Sequence, residues 1–100
     1  MIKIVVIGVS GRMGRAIIEC IEDTQGVAIA GGTEYIGHSS IGRDLGELAG
    51  IGKKEISVVE NVEDALVNCD VIIDFSTPES SIKTLNAAVS CDRSIVIGTT

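Results

Sequence analysis

The chain has 100 residues, and 45% of them are hydrophobic, mostly Ile, Val, Ala and Leu; Phe and Tyr occur once each and Trp is absent. This composition favours aliphatic packing of helices on a buried parallel sheet. A net charge of −6 without a basic stripe argues against nucleic-acid binding, and no apolar run reaches the roughly 20 residues of a membrane span. The three cysteines, Cys20, Cys69 and Cys91, form no C-x-x-C pair, so we expect reduced thiols, buried or half-buried, in a cytoplasmic protein rather than a zinc site.

The chain opens with a β-branched run at residues 2–7 that leads directly into Gly8. An amphipathic helix is predicted next, because Met13, Ile17 and Ile21 fall four residues apart and form one apolar stripe. Gln25-Gly26 is the predicted end of that helix.

Further apolar runs predict a parallel sheet of five strands with helices between them. Residues 37–54 carry several glycines and no clean period, which indicates a long loop with one helical turn at residues 44–48. The predicted fold class is α/β, a Rossmann-type doubly wound parallel sheet in three α/β/α layers, with its ligand at the carboxyl ends of the strands. The later strands are expected at 27–30, 56–59, 71–75 and 94–97, and the later helices at 62–68 and after Pro78.

A glycine-rich turn, GVSGRMG at residues 8–14, lies between the first strand and the first helix. Gly8 would permit a tight turn, Gly11 would let a pyrophosphate approach the backbone, and Gly14 would let the helix pack closely on the sheet. The spacing is G-x-x-G-x-x-G, with Ser10 where the common dinucleotide fingerprint has its second glycine. A glycine-rich turn without a ligand remains the alternative.

Glu34 stands 20 residues after Gly14, just past the second strand. An acidic side chain there can accept hydrogen bonds from the adenosine ribose, although a solvated loop carboxylate is the alternative. A 2′-phosphate would be repelled by Glu34, and the next residue is Tyr35 rather than a cation, so NADH is favoured. Arg12 and Arg43 leave NADPH open.

Residues 74–78 and residues 98–100 close the last two predicted strands, and we expect both segments to complete a cofactor cleft. For residues 74–78 the alternative is a plain strand end followed by a helix cap. His38, the only histidine, is predicted to be a surface residue, and we expect neither catalytic residues nor metal ligands in this chain. The predicted cofactor-binding residues are Gly8, Val9, Ser10, Gly11, Arg12, Met13, Glu34, Tyr35, Phe75, Ser76, Gly98, Thr99 and Thr100.

Four segments together resemble the amino-terminal domain of the dihydrodipicolinate reductase family: GVSGRMG at 8–14, GRDLGELAG at 42–50, DVIIDFSTPE at 70–79 and IGTT at 97–100. The resemblance implies an NAD(P)H-dependent reductase acting on 4-hydroxy-tetrahydrodipicolinate, a step of diaminopimelate and lysine biosynthesis. It also implies that residues 8–13 contact the pyrophosphate, Glu34 the ribose and residues 98–100 the nicotinamide side.

The sequence departs from the family's pattern in two respects. Family members usually carry a basic residue after the acidic one, where this chain has Tyr35, so dual cofactor use is in doubt. The family's carboxyl-terminal domain, which holds the dicarboxylate substrate and builds the homotetramer, does not occur in residues 1–100. We therefore expect one dinucleotide-binding domain, monomeric, that binds cofactor without catalysis; a stand-alone NAD(H) sensor, or the cofactor domain of another dehydrogenase of small acids, is the alternative.

Overall fold

A computed structural model describes residues 1–66, 69–74 and 94–97 of the chain. Within these ranges the four strands are all parallel and lie in the order β2-β1-β3-β4, so that the chain winds outward from β1 in both directions. The predicted doubly wound α/β fold is therefore confirmed. The elements in chain order are β1 (Ile2–Ile7), α1 (Arg12–Glu22), β2 (Val27–Thr33), α2 (Leu45–Ala49), α3 (Val62–Ala65), β3 (Val71–Asp74) and β4 (Ser94–Ile97).

The two faces of the sheet are covered by different helices. Side chains alternate along a strand, so β1 sends Val6 into a cluster with α1 and α2, and Val5 into a second cluster beside α3. Both valines are fully buried. This arrangement gives the three predicted α/β/α layers.

The strand predicted at residues 56–59 is not a member of the sheet. The segment lies beside the end of β2 and makes only isolated bridges, Thr33 with Val59 and Asp44 with Ser57. It is still held to the fold, because the Val59 N–H donates to Gly32 O at 3.1 Å and the Val58 side chain is buried. An apolar run therefore identified a buried edge segment rather than a strand.

Strand β2 is longer than the apolar run that predicted it and continues through two glycines to Thr33. Its register against β1 shifts between Ile4 and Val5, whose partners are Ile29 and Gly31, so Ala30 forms a bulge. Bulges re-aim the residues that follow them. The bulge thus lies near the end of β2, a few residues before Glu34, which follows the strand.

The buried face of α1 is rotated away from the predicted stripe, and Cys20, which we expected to be buried or half-buried, is exposed. Gly14, Ile18 and Ile21 are buried, whereas the Met13 side chain is 54% exposed. Gly14 packs against the turn that precedes the helix, and this contact fixes which face meets the sheet. The helix also ends at Glu22, before the predicted Gln25-Gly26 stop.

The helical turn predicted at residues 44–48 is confirmed by α2, and α3 covers the first part of the helix predicted at 62–68. The helix predicted after Pro78 lies outside the described residues. Among the residues that the structure describes, no helix has the length and apolar character needed to cross a membrane.

Candidate functional site

Parallel strands bring their carboxyl ends to one edge of the sheet, which we call the carboxyl edge. Ile7 at the end of β1 pairs with Thr33 of β2 on one side and with Asp74 of β3 on the other. The glycine turn after Ile7 and Glu34 after Thr33 consequently start from adjacent positions. This is the edge at which doubly wound proteins bind their ligands.

The glycine turn leaves β1 at Gly8, whose φ of 83° lies in the left-handed region that favours glycine. The N–H groups of Gly8 and Val9 both donate to Thr33 O, at 3.0 and 3.2 Å. A Cβ on Gly14 would lie 2.3 Å from Gly8 O. The turn is therefore tied to β2 on one side and packed against the first turn of α1 on the other.

The amino terminus of α1 faces outward from this turn. Gly11 is the N-cap residue, and as a glycine it has no side chain that could cap the helix. Within the part of the chain that the structure describes, a Cβ on Gly11 would come no closer than 3.8 Å to another group, so packing against these residues does not require glycine there. The first N–H groups of a helix lack intrahelical acceptors, and they attract anions. Gly11, Arg12 and Met13 are exposed, which leaves this end of α1 accessible.

Ser10 and Glu34 join the turn to the end of β2. The Ser10 N–H donates to Glu34 Oε2 at 2.8 Å, and the Ser10 hydroxyl donates to the same oxygen. Among the described residues, Glu34 Oε1 accepts one longer hydrogen bond, from the Tyr35 N–H at 3.3 Å. The structure thus gives Ser10 a specific contact at the position where the common fingerprint has glycine.

His38 extends this connection. Its Nε2 lies 3.0 Å from Ser10 Oγ, and its Nδ1 accepts a hydrogen bond from the Ser40 N–H at 2.9 Å. The ring is half-buried and meets the Tyr35 ring edge-on, with centroids 4.8 Å apart. The predicted surface histidine is thus partly covered, and its contacts with Ser10 and Tyr35 were not predicted. The one sequence feature that hinted at the His38–Ser10 contact was the position of His38 four residues after Glu34.

The remaining predicted cofactor-binding residues differ in how accessible their side chains are. The Val9 side chain is fully buried in the core, so only its main chain is available to a ligand. Tyr35 is 70% exposed beside Glu34, followed by Ile36 at 77%. The predicted residues on the far side of the cleft lie outside the described residues: Phe75, Ser76, Gly98, Thr99 and Thr100.

Asp74, at the end of the fourth predicted strand, is a buried acid whose burial the apolar pattern did not predict. Its side chain is 0% exposed at the last position of β3, next to Ile7. A shallow apolar groove lies elsewhere, near the amino ends of β1 and β2, and includes Ile4 and Val27 in its lining. The Asp74 carboxylate and the Ser10–Glu34 contact therefore belong to the carboxyl edge and not to the lining of that groove.

Comparison with known proteins identifies the family. The sequence profile of a family described as dihydrodipicolinate reductase, N-terminus, matches residues 2–100 of the chain. The chain belongs to this family. It is 41% identical over 100 residues to 4-hydroxy-tetrahydrodipicolinate reductase of Geotalea daltonii and 44% identical over 99 residues to that of Magnetococcus marinus. The matches cover 100% and 99% of this chain but only 38% and 37% of those relatives.

Solved structures show the same fold. The amine dehydrogenase from Mycobacterium smegmatis superposes with a TM-score of 0.84 at 24% identity, covering 96% of this chain and 29% of that one. Aspartate semialdehyde dehydrogenase with NADP from Candida albicans gives a TM-score of 0.77 at 18% identity, covering 100% of this chain and 30% of that one. These likenesses support the Rossmann-type fold.

Proposed function

We propose that this chain binds a nicotinamide dinucleotide at the carboxyl edge, with the pyrophosphate on residues 8–13 and the adenosine ribose on Glu34. The observation that carries the proposal is the Ser10–Glu34 contact, because it holds the Glu34 carboxylate beside the glycine turn, and a dinucleotide would need a ribose acceptor and a pyrophosphate site that close together. The exposed amino terminus of α1 supplies N–H groups for the negative charge. Tyr35 would contact the adenosine side, and residues 75–76 and 98–100 the opposite side of the cleft.

We further propose NADH as the preferred cofactor. The Glu34 carboxylate accepts hydrogen bonds from hydroxyl groups but repels a phosphate. The residue that follows is the uncharged Tyr35, where a cation would be needed to receive a 2′-phosphate. Arg12 and Arg43 are exposed and allow weaker NADPH binding.

Family membership supports a role in a larger enzyme. We propose that residues 1–100 are one dinucleotide-binding domain, monomeric alone, of a cytoplasmic 4-hydroxy-tetrahydrodipicolinate reductase. The bound cofactor would supply a hydride, and the dicarboxylate substrate and the tetramer contacts would come from the part of the relatives that this chain does not span.

The test is calorimetric titration of the 100-residue chain with NADH and NADPH, beside Glu34→Ala. We expect NADH to bind more tightly than NADPH. Glu34→Ala should weaken NADH about tenfold or more, since hydrogen bonds to a charged group contribute about 1.5–3 kcal/mol. The same variant should weaken NADPH less, because it also removes a repulsive charge.

Glu60→Ala is the matched control for net charge. Glu60 is an exposed carboxylate next to Val59, whose carbonyl accepts from the Glu34 N–H, and its removal changes the charge by the same amount. NADH affinity should be unchanged in Glu60→Ala. A folded chain that binds neither cofactor, or equal losses in both variants, would contradict the proposal.

A further inference from the structure

A chain of three side chains connects the loop after β2 to the proposed ribose site, through His38, Ser10 and Glu34. The His38 Nε2 atom is 3.0 Å from Ser10 Oγ, and the Ser10 hydroxyl reaches Glu34 Oε2. All three residues are half-buried. The first link joins residues 28 positions apart in the sequence, so it is a tertiary contact and not a local turn.

The direction of each hydrogen bond follows from the surroundings of the imidazole. Nδ1 accepts from the Ser40 N–H at 2.9 Å, so Nδ1 carries no proton and the ring proton is on Nε2. Nε2–H then donates to Ser10 Oγ, and the Ser10 hydroxyl has its own proton left for Glu34. Such chains polarise each member and strengthen the bonds. His38 thereby determines where the Ser10 proton points.

This direction determines which carboxylate oxygen is available. Glu34 Oε2 receives both Ser10 donors, the N–H at 2.8 Å and the hydroxyl, whereas the one contact of Oε1 with a described residue is the 3.3 Å hydrogen bond from the Tyr35 N–H. The carboxylate is therefore held with Oε2 toward the glycine turn and Oε1 free to accept from a ribose hydroxyl. A held carboxylate also cannot rotate away from a 2′-phosphate.

We propose that His38 is a positioning residue of the cofactor site, which fixes the Glu34 carboxylate through Ser10 and so sets the preference for NADH over NADPH. The inference rests on the proposed binding of the ribose by Glu34. It predicts that loss of the His38–Ser10 link weakens NADH more than NADPH. A histidine that only stabilised its own loop would affect both cofactors equally.

The experiment uses three substitutions of His38 that separate its two hydrogen bonds. In His38→Asn the amide reaches about as far as Nδ1 and can keep the Ser40 contact, whereas in His38→Gln the amide nitrogen reaches as far as Nε2 and can donate to Ser10. His38→Ala removes both. Each variant is titrated with NADH and NADPH by calorimetry, alone and in combination with Ser10→Ala, and its fold is checked by circular dichroism.

We expect His38→Ala and His38→Asn to bind NADH about tenfold more weakly and His38→Gln to stay within about threefold of the wild type. The ratio of NADH affinity to NADPH affinity should decrease in His38→Ala and His38→Asn. His38→Ala should add no further loss to Ser10→Ala, because both act on the same link. Equal losses in all three variants, or additive losses with Ser10→Ala, would overturn the inference.

Two outcomes distinguish a wrong role for His38 from a wrong cofactor site. If Glu34→Ala loses NADH affinity while His38→Ala keeps it, Glu34 binds the cofactor without help from His38. If the folded wild-type chain binds no cofactor, both proposals are wrong. Glu34→Ala is therefore titrated beside the His38 series.

Discussion

At the scale of single residues, two glycines of the same turn are required for different reasons. A Cβ on Gly14 would lie 2.3 Å from Gly8 O and 2.9 Å from Val9 Cα, and both of these neighbours are backbone atoms that cannot rotate away. Of the described residues, a Cβ on Gly11 would meet Gly8 O alone, at the ordinary contact distance of 3.8 Å. Packing thus requires glycine at position 14. At position 11 the described residues leave room for a Cβ, so a bound ligand is the reason we propose for glycine there.

Alanine substitutions should separate these two requirements. Gly14→Ala should destabilise the chain by about 1–3 kcal/mol, typical of overpacking, and weaken NADH because the turn must move. Gly11→Ala should stay within about 1 kcal/mol of wild-type stability, since its extended backbone suits alanine, yet weaken NADH where the Cβ meets the pyrophosphate. Urea denaturation and calorimetry measure the two effects. Unchanged NADH binding in Gly11→Ala would place the pyrophosphate elsewhere.

At the scale of elements, α2 is held to the segment after it by one carboxylate. Asp44 caps the helix by accepting from the Glu47 N–H at 3.0 Å, and it also accepts from the N–H groups of Lys54 and Ile56, each at 3.0 Å. The pKa of Asp44 is lowered from its ordinary value of 3.8, with the Lys54 N–H as the largest cause; desolvation opposes this shift, and the other N–H groups add to it.

The lowered pKa makes the contribution of Asp44 to stability depend on pH. A group whose pKa is lower in the folded state stabilises the fold above its unfolded pKa, and this stabilisation is lost as the pH falls through the folded value. The thermal midpoint of Asp44→Ala should therefore lie below that of the wild type near pH 7, and the gap should shrink below about pH 4. Glu60→Ala, which alters an exposed carboxylate, is the control. A gap that stays constant with pH would contradict the assignment.

The elements also show how far sequence patterns predict this fold and site. Continuous β-branched runs predicted β1 and β3, and the glycine turn with Glu34 predicted which residues meet at the carboxyl edge. The phase of α1 was predicted incorrectly because the residue that fixes it, Gly14, has no side chain to count. The His38–Ser10 contact was missed because it joins two loops, and no periodicity describes a tertiary hydrogen bond.

At the scale of the whole molecule, the two core clusters are connected through β1. Ile4 and Val6 pack with Ile18 of α1 on one face, whereas Val5 and Ile7 pack with Leu66 on the other. Adjacent residues of one strand thus belong to opposite clusters, so neither cluster can separate from the sheet without disturbing the other. The described part of the chain should therefore unfold as a single cooperative unit.

Leu66→Ala tests this cooperativity, because Leu66 is 1% exposed and lies on the face opposite α1. The substitution should lower the free energy of unfolding by about 2–5 kcal/mol, as for other buried leucines. Tyr35, the sole tyrosine in a chain without tryptophan, reports on the end of β2, while circular dichroism reports on the helices. Both signals should shift together in urea, and Met13→Ala, at a 54% exposed position, should move neither by more than about 0.5 kcal/mol. If the Tyr35 transition stayed in place while the dichroism shifted, the two faces would unfold independently, and the carboxyl edge would depend on only one of them.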